Sequence, residues 1–158
     1  MNNNVPLSPE KYIQTRVRSL PITNCYVNKN WQQVGMAYIV VARKHNNGNF
    51  TYGVYHVDTF AVGMKDTFYR FNMLPIHFDE FINNFRDFYE QDEESLIEKT
   101  DYVIVHNIIF GAIAFAEEHD YKPQKDFALT KNILEEDDDN IELIEYEFGK
   151  DGEPFLII

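Results

Sequence analysis

The spacing of hydrophobic positions changes character several times along the chain, and each change predicts an element. Residues 36 to 42, MAYIVVA, are apolar without interruption, the pattern of a strand covered on both faces. Residues 50 to 59 follow after HNNGN (45 to 49), whose Asn and Gly tolerate positive φ, so the two segments are expected to close an antiparallel hairpin. In its second strand Tyr52, Val54, His56 and Asp58 share one face, with Tyr55 and Val57 on the other. ITNCYVN (22 to 28) and DTFYRFN (66 to 72) read as flanking strands, which makes the N-terminal half a β-meander.

Elsewhere the period lengthens to that of a helix. Ser8-Pro9-Glu10 is a helix start, with a capping hydroxyl, a proline at the first helical position and an acid at the positive end of the dipole. That helix is expected to run to about Ser19, before Pro21. Phe78, Phe81, Ile82, Phe85 and Phe88 or Tyr89 recur at helical spacing and predict an amphipathic helix rich in rings. Residues 101 to 119 predict a second, apolar nearly all round and therefore central, with Gly111, Ala112, Ala114 and Ala116 leaving a flank small enough for close approach. KDFALTKNILEE predicts a short third helix. IELIEYEFGKDGEPFLII (141 to 158) reads as a hairpin about Gly149–Gly152 whose final FLII must be buried in the sheet or against a partner. The order implies an α+β fold: an antiparallel sheet, made of the N-terminal β-meander plus the C-terminal hairpin, packed against three to four helices. Length fits a single α+β domain over 1 to 158, with 1 to 7 a disordered tip.

Composition narrows the classes of partner. The 13 Phe and 10 Tyr imply a core built around rings, and 26 acidic against 14 basic side chains give a formal charge of −12. That charge repels a phosphate backbone, and no basic run offsets it, so nucleic acid is disfavoured as a partner. The acidic runs at 90 to 94 and 135 to 139 read as solvated loops or helix ends. A single cysteine, Cys25, forms no internal disulfide and suits a reducing compartment. MNNNVPLSPEKY lacks the features of a secretion signal, and 102 to 116 is too short to span a bilayer, so no membrane is expected and the location is expected to be cytoplasmic.

Trp31, Gly35, VVAR (40 to 43), YGVYHVD (52 to 58), GMKD (63 to 66), HNIIFGAIAFAEEHDYKPQKDF (106 to 127) and FGKDGEPF (148 to 155), in that order, resemble a family of small uncharacterised bacterial proteins of the Bacteroidetes type. The resemblance covers most of the chain. It implies a bacterial protein and carries over no activity, cofactor or residue role.

The candidate chemistry centres on Asp58 and Asp66. Carboxylates at a strand end and after a glycine turn are how many hydrolases hold Mg²⁺ or Mn²⁺, since hard cations take several oxygen ligands. Lys65, His106 and Glu117 are the accompanying candidates, with Glu118 and His119 as further ligands. The architectural alternative has Asp58 accepting hydrogen bonds from backbone or Arg43, and Asp66 paired with Lys65 or Arg70. His106 on the buried helix reads as a core histidine bonded to a neighbour, and Cys25 with His56 or His106 as a minimal thiol pair. EEDDDN lacks the glycine and spaced glutamate of a calcium loop, and GKDG is no phosphate loop. Two functions follow. One is a non-catalytic accessory or protein-interaction domain with an acidic surface, bound to a protein partner or paired as a homodimer, with no cofactor. The other is a phosphodiesterase or nuclease that depends on a divalent metal, Mg²⁺ or Mn²⁺, held by Asp58 and Asp66.

Overall fold

The computed structural model describes residues 7–156. The expected disordered tip lies outside them except for Leu7, which is exposed. The chain forms, in order, α1 (Pro9–Thr15), β1 (Ile22–Asn28), α2 (Trp31–Val34), β2 (Met36–Lys44), β3 (Phe50–Asp58), β4 (Gly63–Met73), α3 (Pro75–Tyr89), β5 (Ile97–Lys99), α4 (Tyr102–Glu118) and α5 (Phe127–Thr130). The fold is α+β, with an antiparallel sheet in the order β4-β3-β2-β1-β5. The meander is present strand by strand. Ser8 caps α1 by accepting the amide of Lys11 at 3.2 Å, and Pro9 opens the helix. The helix ends at Thr15, and a 3₁₀ turn carries the chain through Val17–Ser19.

The uninterrupted apolar run of β2 is explained by what covers it. Ala37, Ile39 and Val41 join Cys25, Val27, Tyr55 and Val57 on one face, beneath Val105, Ile108, Ile109, Ala112 and Ile113 of α4. Val40 and Ala42 join Tyr26, Tyr52 and Val54 on the other face, beneath Phe78, Ile82 and Phe85 of α3. The sheet is thus the middle layer of three. Small residues set how near α4 lies. Gly63, at φ 71°, opens β4 against Ala112 and Ala116, where a Cβ would meet the Ala116 methyl.

The C-terminal segment departs from the expected hairpin. Its only pairing among the described residues is an isolated bridge, Lys150 to Glu153, and the fifth strand of the sheet is instead the three-residue β5. Residues 134 to 155 form a strap that crosses the outer side of α4. Phe148 packs on Gly111, where a side chain would collide with its ring, and Tyr146 meets Trp31 edge to face at 4.9 Å. The amides of Gly149 and Phe155 donate to the carbonyls of Thr59 and Phe60, each at 2.9 Å. The strap therefore hides the outer face of α4 instead of extending the sheet. Phe155 and Leu156 are exposed and so are not buried in the sheet, the first of the two places expected for FLII; Ile157 and Ile158 lie outside the described residues.

Candidate functional site

Asp58 ends β3 and is 5% exposed. Its Oδ1 accepts the amides of Phe60 and Ala61 at 2.9 and 3.1 Å, so the carboxylate holds the turn into β4. Arg43 plays no part in this turn. Asp66 stands opposite His56 in the ladder, two residues back along β3, which separates the two carboxylate positions by about 7 Å of strand. Asp66 is exposed, and its Oδ1 accepts the amide of Thr67 at 3.0 Å. Lys65 is the extra residue where the β3–β4 register slips between His56 and Val57, and it too is exposed. Neither Lys65 nor Arg70 forms an ion pair with Asp66 among the described residues.

The other candidates lie on α4. Gly63 rests on Ala112 and Ala116, whereas His106 sits about two turns earlier, roughly 10 Å along the axis. Glu117 is exposed on the last turn. Among the described residues no group of three or more His, Cys, Asp or Glu side chains is arranged to share a metal ion. The Asp58–Asp66 corner would thus need ligands beyond those that the sequence nominated.

His106 belongs to a different constellation, one the sequence showed only in part. It is 1% exposed, and both ring nitrogens are engaged: Nδ1 with Tyr102 Oη at 2.6 Å and Nε2 with Asp137 Oδ1 at 3.0 Å. Asp137 accepts, so in the neutral ring the proton is on Nε2 and Tyr102 donates to Nδ1. Tyr102 Oη in turn accepts the amide of Glu135 at 2.8 Å. Arg43, also 1% exposed, donates to the carbonyls of Ile133 and Leu20 at 2.6 Å each and to Glu135 at 3.2 Å. Burial pulls its pKa down, and the Glu135 carboxylate opposes that pull. Arg18 reaches Glu136 at 3.1 Å and the Leu134 carbonyl at 2.8 Å. Three consecutive acids, Glu135, Glu136 and Asp137, are therefore held by Arg43, Arg18 and His106. The run is solvated, as expected, with Glu136 to Asp139 exposed, and it also anchors the start of the strap.

Asn107 fastens the next part. Its Nδ2 donates to the carbonyls of Val103 and Glu142 at 2.8 and 2.9 Å, and its Oδ1 accepts the amide of Ile144 at 2.9 Å. A buried amide thus bonds one edge of an extended segment through both its donor and its acceptor, as a neighbouring strand would. A shallow cleft of about 450 Å³ lies over His106 and Asn107, lined by Asp137, Asp138, Glu142 and Leu143, but the groups at its floor are already bonded. Cys25 is buried, and burial pushes its thiol up to about 12, which leaves it neither ionised nor reachable. His56 meets Tyr89 Oη at 3.0 Å beside the stacked Tyr38–Tyr89 pair; burial lowers its pKa, with Asp66 opposing.

The outer edge of β4 is where polar groups remain open. The amide of Thr67 goes to its neighbour Asp66 and the carbonyl of Tyr69 accepts Arg70 Nη1 at 2.9 Å, so neither is used by β3. In an antiparallel ladder a residue directs its N–H and C=O to the same side, hence Thr67, Tyr69 and Phe71 face away from the sheet. The amide of Asn72, turned inward, bonds Thr51 Oγ1 at 2.9 Å, in keeping with that alternation. Nearer the start of the strand the Met64 carbonyl is covered by the Gln124 amide at 3.0 Å. Beyond it a groove of about 490 Å³ runs along Thr67 to Phe71, walled by Pro9 of α1 and by Asp126, Leu129 and Thr130 at α5. No sequence signal marked this edge, because which strand ends a sheet depends on pairing and not on composition.

No helix among the described residues is long and apolar enough to cross a membrane. Comparison with protein-family models, curated proteins and solved structures gives no match.

Proposed function

We propose that the chain is a bacterial, cytoplasmic, non-catalytic protein-interaction domain whose docking surface is the open edge of β4. The observation that carries this reading is the run of outward backbone groups at Thr67, Tyr69 and Phe71 beside an apolar groove. An unpaired edge of this kind accepts an extended segment through main-chain hydrogen bonds, while adjoining pockets select side chains. Support also comes from two of the candidate groups: both ring nitrogens of His106 are bonded, and Asp58 Oδ1 holds the amides of Phe60 and Ala61. The formal charge of −12 favours a protein partner over nucleic acid.

Photo-crosslinking tests the reading. Phe68 on β4 is replaced by its benzophenone analogue, and Phe88, an exposed ring on α3, serves as the comparison site. Protein adducts are expected from position 68 in the cells that make the protein, and not from position 88. Adducts from position 88 alone would move the surface to α3, and none from either position would overturn the interaction role.

A further inference from the structure

We infer that the partner at the β4 edge is β4 of a second copy of this chain, paired antiparallel about a twofold axis through Phe68. This inference rests on the edge being a docking surface; what it adds is the occupant and the register.

The geometry that points there is the placement of Asp66 and Arg70. Each is exposed, each has no ion pair among the described residues, and each caps an outward backbone group: Asp66 takes the Thr67 amide and Arg70 the Tyr69 carbonyl. Registers that use the outward residues must place odd positions opposite odd positions. When Phe68 faces its own copy, Thr67 lies opposite Tyr69 of the second copy. The Thr67 amide then finds that Tyr69 carbonyl, and the reciprocal bond forms between the Tyr69 amide and the Thr67 carbonyl. The two groups now capped by side chains are the two that this pairing satisfies.

The released side chains also match. With Phe68 on the axis, Asp66 is directly opposite Arg70 of the second copy, and by symmetry the ion pair occurs twice. Both pairs flank a Phe68–Phe68 contact on the side of the sheet that carries α3. Arg70 already lies 4.9 Å over the Phe68 ring, so once released from the Tyr69 carbonyl it borders that contact. The bulge at Lys65 and the cover of Gln124 over Met64 bound the pairing at one end. Centring the pair on Tyr69 instead would set Asp66 against Asn72 and Arg70 against Phe68, which loses both ion pairs. Charge complementarity thus selects the Phe68 register.

Sedimentation equilibrium of the full chain at about 0.15 M salt, where repulsion between two acidic molecules is screened beyond about 8 Å, tests this directly. A concentration-dependent dimer is expected. Asp66→Arg and Arg70→Asp singly place like charges opposite each other twice, and each is expected to weaken the dimer roughly tenfold. The double variant Asp66→Arg/Arg70→Asp restores opposite charges and is expected to return the dissociation constant to within about threefold of the starting protein. Rescue by the exchange distinguishes pairing from damage to either monomer. A monomer at about 0.2 mM, or a dimer indifferent to all three variants, would overturn the inference. If the chain stays monomeric while position 68 crosslinks to a different protein, self-pairing fails and the docking edge stands.

Discussion

Asn107 offers the sharpest perturbation of the strap, because one buried amide both donates to and accepts from the edge of an extended segment. Asn107→Ala removes its bonds to the Val103 and Glu142 carbonyls and to the Ile144 amide. The Val103 carbonyl keeps its helical partner, so the cost falls on Glu142 and Ile144. Each is at the margin of solvent, where water partly replaces the lost partner, and a typical hydrogen bond contributes about 0.5 to 1.5 kcal/mol. Two such bonds give about 1 to 3 kcal/mol, and a small void adds to that. If the strap opens locally, the Ile144 amide should exchange with solvent roughly 5 to 150 times faster, since about 1.4 kcal/mol is tenfold. Urea denaturation should show a lower midpoint. Asn107→Asp separates the two bonds: it keeps an oxygen for the Ile144 amide but turns another toward the Glu142 carbonyl, so both variants should loosen the strap. An unchanged midpoint together with unchanged exchange at Ile144 would refute the reasoning.

Two further outcomes concern the partly buried histidines and the Asp58–Asp66 corner. Burial lowers the pKa of His56 and of His45, so stability is complete above the ordinary histidine value of about 6.5 and is lost as pH falls through it toward the depressed values. The loss should not exceed about 1.4 kcal/mol per pH unit for each ring, and solvent screening at these partly exposed sites reduces it further. Urea midpoints between pH 8 and pH 5 should fall on acidification, and His56→Gln should flatten the slope; a midpoint that rises on acidification would contradict this. At the Asp58–Asp66 corner, Mg²⁺ or Mn²⁺ at about 1 mM should leave the melting temperature unchanged, whereas a rise that Asp58→Asn abolishes would establish metal binding there.

Much of the fold was legible because it follows from local pattern. HNNGN closes the β2–β3 hairpin, the Phe spacing gives α3, and the apolar helix is α4. The C-terminal segment misleads because IELIEYEF alternates as a strand does, yet its bonding partners are the Asn107 amide and the Trp31 and Phe115 rings. Nothing in the pattern says whether an extended segment is bonded by another strand or by side chains. β5 was missed because three residues carry no period. His106 was legible as a bonded core histidine, whereas Asp137 lies 31 residues away and entered only as part of a charged run. Arg43 was given the wrong partner for the same reason: Asp58 is near in sequence, but the carbonyls that Arg43 reaches come from Leu20 and Ile133.

Native-state hydrogen exchange of the unmodified chain tests most directly whether the outer face of α4 is occupied by residues 134 to 155. The amides of Ile144, Gly149 and Phe155, bonded to Asn107, Thr59 and Phe60, should exchange at least about a hundredfold more slowly than in an unstructured peptide. Exchange of all three at peptide rates would mean that the segment is detached, and that His106 and Asn107 are open for another role.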